Sequence, residues 1–375
     1  MKKFIITLLS VAFVMFLYGI AVGHYEVFPY MILKESQIFF EKSNDVSKNK
    51  FSDFNINSII DIKNENDIIQ KRNELINFIW KQNNLPKTYA NLKSTSNFSD
   101  SNYNDLSNFS HLNKYEIVME YGINSVVYHF HAESKNGNLV IYHEGHGGDF
   151  IKGKYVINEL LSEGFDVLAF SMPLHGKNNN PEIFIENIGK IHLKTHDQLS
   201  YLDNENFSSL KLFVEPILVS LNFLDEEYTY NSYSFIGLSG GGWTGILFSS
   251  IDDRISQTFS VAGSLPIFLR TESRDFGDYE QTLPQLYSKV NYLELYILDS
   301  VGEERKLVQI FNEFDPCCFS GNSFVIYENV VRDIVRSFEN GDFQIILDSS
   351  HNEHKISEFA LEKIIYSLHE LSKHN

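Results

Sequence analysis

Three features of the sequence predict an α/β fold, a mostly parallel central sheet with helices on both faces. Short apolar runs alternate with helix-length segments, a glycine-flanked serine directly follows one run, and a late acid precedes a histidine-bearing loop. The runs are Asn138–Tyr142, Phe165–Phe170, Tyr233–Gly237, Gln257–Ala262, Leu307–Phe311 and Phe343–Leu347. Runs of this length, apolar throughout, suit strands covered on both faces. In such a sheet reactive loops gather at the carboxyl ends of the strands, so chemistry is expected just after each run.

Length and composition set the frame. A chain of 375 residues accommodates one large α/β domain and an additional segment. With 43% hydrophobic and 14% aromatic residues the bulk of it folds into a packed core. Lys and Arg number 31 against 49 Asp and Glu, and a net charge of −18 with no basic cluster excludes nucleic acid as a partner. The same sign disfavours electrostatic attachment to anionic lipid, leaving apolar sequence as the route to a membrane.

The apolar run from Phe4 to Val22, behind Lys2 and Lys3, approaches the roughly 20 residues that span a bilayer core as a helix. Residues 1–24 are expected to form a signal anchor, or a signal peptide cleaved near Ala21 and Gly23. Either reading places the domain outside the cytoplasm, membrane-anchored or secreted. The two cysteines, Cys317 and Cys318, are adjacent and close no loop; buried thiols are the favoured expectation and a vicinal disulfide the other.

Residues 25–112 read as an N-terminal extension. His24 to Asn66 shows no sustained periodicity, whereas Asp67 to Lys81 places Ile68, Leu75, Ile76 and Ile79 at helical spacing, with Asn66 as N-cap. Ser94 to Ser110 is rich in Ser, Asn and Asp and is expected to be a surface linker, putting a boundary near residue 112. The catalytic domain, 113–375, then opens with a hairpin over Tyr115–His131.

Gly237-Leu238-Ser239-Gly240-Gly241 places a G-x-S-x-G between a strand and a helical segment, the setting of a nucleophilic serine. A serine hydroxyl needs a positioned base, itself oriented by an acid. Asp315 follows the run Leu307–Phe311 and is the expected acid, with Glu313 its competitor. His351 and His354 share the loop after the last run; His351, nearer the strand end, is the expected base and His354 the alternative. An oxyanion hole needs two backbone N–H donors, assigned to Gly240 and to His146 with Gly145 in the run "HEGHGG". A rival reading makes His143 and His146 metal ligands, but no further ligand cluster is legible, so no metal is expected. His175 is expected to be structural, and Trp243 either lines a substrate pocket or packs beneath the elbow.

From Lys114 to Ser372 the motifs "GLSGG", "HEGHGG", "FDVLAFSMPLHG", "NEFDP" and "DSSHNEH" make the chain resemble the α/β-hydrolase superfamily, its esterase-like and dienelactone-hydrolase-like members in particular. The resemblance implies the α/β-hydrolase fold with an eight-stranded, mostly parallel sheet. It also implies a triad on Ser239, Asp315 and His351 with no cofactor. The expected activity is hydrolysis of a carboxylic ester in a small-molecule, lipid or glycan substrate, through an acyl-enzyme on Ser239. Two alternatives stay open: a peptidase resembling the prolyl-oligopeptidases, and an inactive hydrolase-fold binding protein.

Overall fold

The computed structural model describes residues 55–372 and, nearer the N-terminus, positions 11, 13, 15, 16, 18 and 19. Most of the expected anchor, and the stretch 24–54, lie outside the described residues. Among those described, no helix is long and apolar enough to cross a membrane. The chain divides into two units, Met1–Asn55 and Ile56–Asn375.

All six apolar runs are strands of the second unit: β4 (Leu139–His143), β5 (Asp166–Phe170), β8 (Tyr233–Leu238), β9 (Ile255–Val261), β10 (Lys306–Asn312) and β11 (Asp342–Asp348). The hairpin comprises β2 (Phe109–Val118) and β3 (Asn124–Ala132), while β6 (Glu182–Ile185) and β7 (Gly189–His192) pair as a separate ribbon. With β1 (Leu92–Thr95) the main sheet has nine strands in the order β1-β2-β3-β5-β4-β8-β9-β10-β11. The strands from β5 to β11 in that order run parallel, and β1, β2 and β3 extend the sheet antiparallel. Every residue of β4, β5 and β8 is buried, which is why these strands read as continuous apolar runs and show no alternation.

Two expectations are corrected. The sheet has nine strands, not eight, because part of the presumed linker forms β1, pairing Leu92 with Ile117 through Thr95 with Lys114. As a four-residue edge strand with mostly exposed side chains, β1 carries no apolar signature. The same stretch buries Tyr103 edge-on against Phe130 at 4.9 Å. Residues 56–112 therefore belong to the same unit as the sheet, and no boundary falls near 112.

Helix α1 (Glu65–Trp80) forms as its spacing predicts, but its N-cap is Asn64. Asn64 accepts from the Asp67 N–H while the Asp67 carboxylate accepts from the Asn64 N–H, a reciprocal pair that Asn66 lacks because Ile69 lies three residues on. Arg72 donates to the carbonyls of Leu298 and Val301, and Trp80 Nε1 donates to Glu215 at 3.1 Å.

The remaining long helices are α2 (Lys154–Ser162), α3 (Lys211–Glu227), α4 (Gly240–Ser249), α5 (Tyr292–Ser300), α6 (Glu328–Ser337) and α7 (Glu358–Ser372). Ile157 and Leu161 of α2 and Leu361 and Ile364 of α7 share a core with Val140, Val167 and Ile236. Helix α4 takes the opposite face, where Gly245 lies so close to Phe235 that a Cβ would stand 2.6 Å from its ring.

At the start of β5, buried Asp166 accepts from the Ala132 N–H and Tyr230 Oη and pairs with His131 and Lys135, all within 2.9 Å. Burial alone raises its pKa, but the bonds from His131, Lys135 and Tyr230 outweigh this and hold the carboxyl well below the usual range. A depressed carboxylate stabilises the fold above its unfolded pKa of about 3.9 and loses that contribution as pH falls. Asp166→Asn is expected to lower stability by about 1–3 kcal/mol at pH 7. Urea midpoints should show the gap from wild type narrowing below about pH 4.

Candidate active site

Strand β8 delivers Ser239 to its carboxyl edge, and α4 begins one residue later. Ser239 sits at φ 55°, ψ −126°, a left-handed conformation that costs a non-glycine residue about 1–3 kcal/mol unless the surroundings enforce it. They do. Its N–H donates to the Val261 carbonyl at 2.8 Å, and its carbonyl accepts from the N–H groups of Gly242 and Trp243. A Cβ on Gly237 would meet the Gly241 backbone at 2.3 Å, and one on Gly241 would meet the His143 carbonyl oxygen at 2.2 Å. The expected elbow is thus present, and its glycines are required by the close approach of strand, helix and the loop after β4.

Asp315 lies in the loop after β10, fully buried, where its Oδ1 accepts from the Cys317 N–H at 2.8 Å. Its Oδ2 pairs with His354 Nδ1 at 2.7 Å. The preference for His351 over His354 is therefore corrected. His351 turns back toward the strand end, its Nε2 3.3 Å from Asp348 Oδ2 and its Nδ1 accepting from the Glu353 N–H. The first histidine thus stays at the end of β11 beside Asp348, and Asn312 Nδ2, donating to the Lys355 carbonyl at 3.0 Å, draws the second over β10. His354 and Ser239 line one cavity of about 360 Å³, together with Tyr142, Glu144, Gly145 and Lys152. Beside the acid, Cys317 and Cys318 are joined in a vicinal disulfide and are not buried thiols.

The donor assignments divide. Gly145 N–H already donates to Glu144 Oε1 at 3.1 Å, so its assignment to the oxyanion hole is corrected. Among the described residues no acceptor engages the N–H of Gly240 or of His146. The two residues are neighbours, since a Cβ on Gly240 would stand 2.3 Å from His146 Cε1. Glu144, which sequence reasoning passed over, is a buried carboxyl in the cavity wall; burial raises its pKa and Tyr142 Oη donates to it at 2.7 Å. Its only signal was an acid within "HEGHGG".

His143 is not grouped with His146 as a metal ligand. It lies between the rings of Phe170 and Phe235, its Nδ1 2.8 Å from the Glu144 carbonyl, and burial brings its pKa down to about 4. Trp243 packs beneath the elbow, Nε1 donating to Tyr287 Oη at 2.8 Å and the ring standing edge-on to Phe213, so it is not the substrate contact it was weighed as.

No protein-family model matches the chain, and no curated protein matches it in sequence. Solved structures do match. Acetyl xylan esterase 1 from Thermoanaerobacterium sp. JW/SL YS485 superposes with a TM-score of 0.53 at 13% identity, covering 85% of this chain and 99% of that one. The acetyl xylan esterase of Paenibacillus sp. R4 gives 0.51 at 13%, covering 84% and 99%. The glucuronoyl esterase of Solibacter usitatus gives 0.52 at 11%, covering 81% and 91%. The chain has the α/β-hydrolase fold.

Because the atom facing Gly241 is a backbone carbonyl with no room to give, Gly241→Ala is expected to destabilise the protein by about 1–3 kcal/mol or more. Thermal unfolding beside wild type checks this.

Proposed function

We propose that the chain is a serine hydrolase that cleaves a carboxylic ester through an acyl-enzyme on Ser239, with His354 as base and Asp315 orienting it. The observation that carries this reading is the convergence on one cavity of a serine in a left-handed elbow and a histidine bonded through Nδ1 to a buried carboxylate. The Asp315 bond holds the His354 tautomer that keeps the proton on Nδ1, leaving the Nε2 lone pair as acceptor.

In the proposed reaction His354 Nε2 takes the Ser239 hydroxyl proton as Oγ attacks the ester carbonyl. The N–H groups of Gly240 and His146 stabilise the negative oxygen, each donor contributing roughly a hundred- to a thousand-fold in rate. Collapse expels the alcohol, which leaves with the proton from His354. Water, deprotonated by the same nitrogen, then attacks the acyl carbonyl, releasing the carboxylic acid and restoring Ser239. A cavity of about 360 Å³ lies near the small end of ligand pockets and favours a short acyl group. The neighbouring folds are named for acetyl xylan and glucuronoyl esters, so short-acyl and glycan esters are the substrates to try first. Export by the apolar run Phe4–Val22 is proposed on the sequence alone.

A fluorophosphonate probe and p-nitrophenyl acetate test the assignment on the purified protein. Wild type should label and turn over, Ser239→Ala should do neither, and His354→Ala should lose about a thousand-fold or more in kcat. His351→Ala should retain kcat within about tenfold, since its ring does not meet Asp315. A folded wild type that neither labels nor turns over removes the hydrolase reading; a large loss at His351 with His354→Ala spared reverses the choice of base.

A further inference from the structure

Behind the oxyanion loop, three loops far apart in sequence bring four ligand-type atoms together: His146 Nε2, His196 Nδ1, Asp278 Oδ2 and Glu280 Oε1, all within 4.8 Å of one another. His146 Nε2 lies 2.9 Å from Glu280 Oε1 and 3.4 Å from Asp278 Oδ2. His196 Nδ1 lies 3.4 Å from each of the two carboxylates. Zinc bound tetrahedrally at about 2.0–2.2 Å spaces its nitrogen and oxygen ligands about 3.3–3.6 Å apart. Three of these four separations fall there, whereas a charge-assisted hydrogen bond closes to about 2.7–2.9 Å.

Two further observations point to a cation. His196 Nε2 lies 2.8 Å from the Pro173 carbonyl, the outer hydrogen bond that typically orients a metal-bound imidazole and leaves the other nitrogen as the ligand atom. Its Nδ1 faces both carboxylates at 3.4 Å, longer than a charge-assisted hydrogen bond, so positive charge is needed on or between these groups. Glu280 is fully buried, and its Oε2 has no hydrogen-bond partner among the described residues. Leaving a carboxylate oxygen so buried is costly unless the group is compensated. Two carboxylates also balance one divalent cation, and half-exposed Asp278 gives an ion access from solvent.

We propose that His146, His196, Asp278 and Glu280 form a divalent-metal site, zinc being the ion that a tetrahedral set of two imidazoles and two carboxylates fits best. The site differs from the weighed pair of His143 and His146, since His143 stacks between phenylalanines on the sheet. The ion is structural, with four protein ligands and no open position. It ties the loop after β4 to the His196–Leu199 turn and to the segment after β9, and it clamps the His146 ring against Gly240. Metal binding and the proposed hydrolase reaction share His146 alone, whose ring is a ligand and whose backbone N–H is a proposed oxyanion donor, so Asp278→Asn, remote from Ser239 and the Asp315–His354 pair, is the variant that separates them.

The test uses the full-length protein, stripped with a chelator and dialysed against zinc, with metal content measured by mass spectrometry and Co2+ substitution followed by its visible absorption. One zinc per chain and a Co2+ spectrum of tetrahedral intensity are expected. Asp278→Asn, a half-exposed change expected to leave the fold intact, with circular dichroism as the check, should weaken zinc binding by at least about tenfold, and His146→Gln likewise. Zinc should raise the melting temperature of wild type more than that of either variant. The site is overturned if folded wild type retains no zinc or Co2+, or if both variants bind zinc as tightly as wild type does. Fluorophosphonate labelling of the wild-type and Asp278→Asn samples reports the serine independently.

Discussion

A single backbone conformation organises the carboxyl edge of the sheet. Ser239 stands at positive φ between a buried strand and a buried helix, and no L-residue rests there unless its neighbours compel it. The compulsion comes from sheet and helix together: the Val261 carbonyl takes the N–H, and the first turn of α4 takes the carbonyl. For the helix to begin so abruptly its backbone must approach the loop after β4 more closely than any side chain permits, and so Gly237, Gly241 and Gly145 are all glycine. The pattern G-x-S-x-G is thus a packing requirement as much as a chemical one. The same crowding brings His146 onto Gly240, so the geometry of Ser239 and that of the proposed oxyanion donors are not independent.

How far the fold was legible followed burial. Strands covered on both faces, β4, β5, β8 and, past Lys306, β10 among them, appear in the sequence as short apolar blocks, because their residues are buried. Strand β1 could not be read this way: it sits at an edge, three of its four side chains are exposed, and its order comes from backbone hydrogen bonds to β2, to which side-chain type contributes little. The polar segment beyond it was misread for a related reason. Phe98, Tyr103 and Phe109 anchor it against the aromatic cluster of Tyr128 and Phe130, and a few aromatics spaced irregularly among serines and asparagines leave no periodic trace. At α1 the spacing was sufficient for the helix, and only the cap shifted, by the two residues that let Asp67 answer Asn64.

The candidate site was legible in its components and less so in its pairings. Serine, acid and the histidine loop could be placed after particular strands, because the position of a loop follows from that of the strand before it. Which histidine meets the acid depends on the path of a loop, and that path is set by contacts between residues remote in sequence. His351 stays at the end of β11 beside Asp348, while Asn312, two elements earlier, donates to the Lys355 carbonyl and carries His354 to Asp315. Proximity to the strand end favoured His351, whereas the histidine that meets the acid is the one three residues further on. Gly145 failed as a donor in the same manner: the acid beside it in sequence, Glu144, folds back onto its N–H.

Glu144 also bears on what the cavity accepts. A carboxyl in the wall beside Ser239 is tolerable only because Tyr142 Oη and the Gly145 N–H both donate to it, and its burial raises its pKa. As an anion it would repel a substrate carboxylate arriving near the serine and would favour neutral esters, while the two lysines of the lining are engaged elsewhere, Lys152 by the Gly147 carbonyl and Lys355 by Glu353. The wall therefore offers little to balance a charged acyl group. For the ester hydrolysis proposed above, the small volume and this charge arrangement together would favour a short, uncharged acyl moiety inside the cavity.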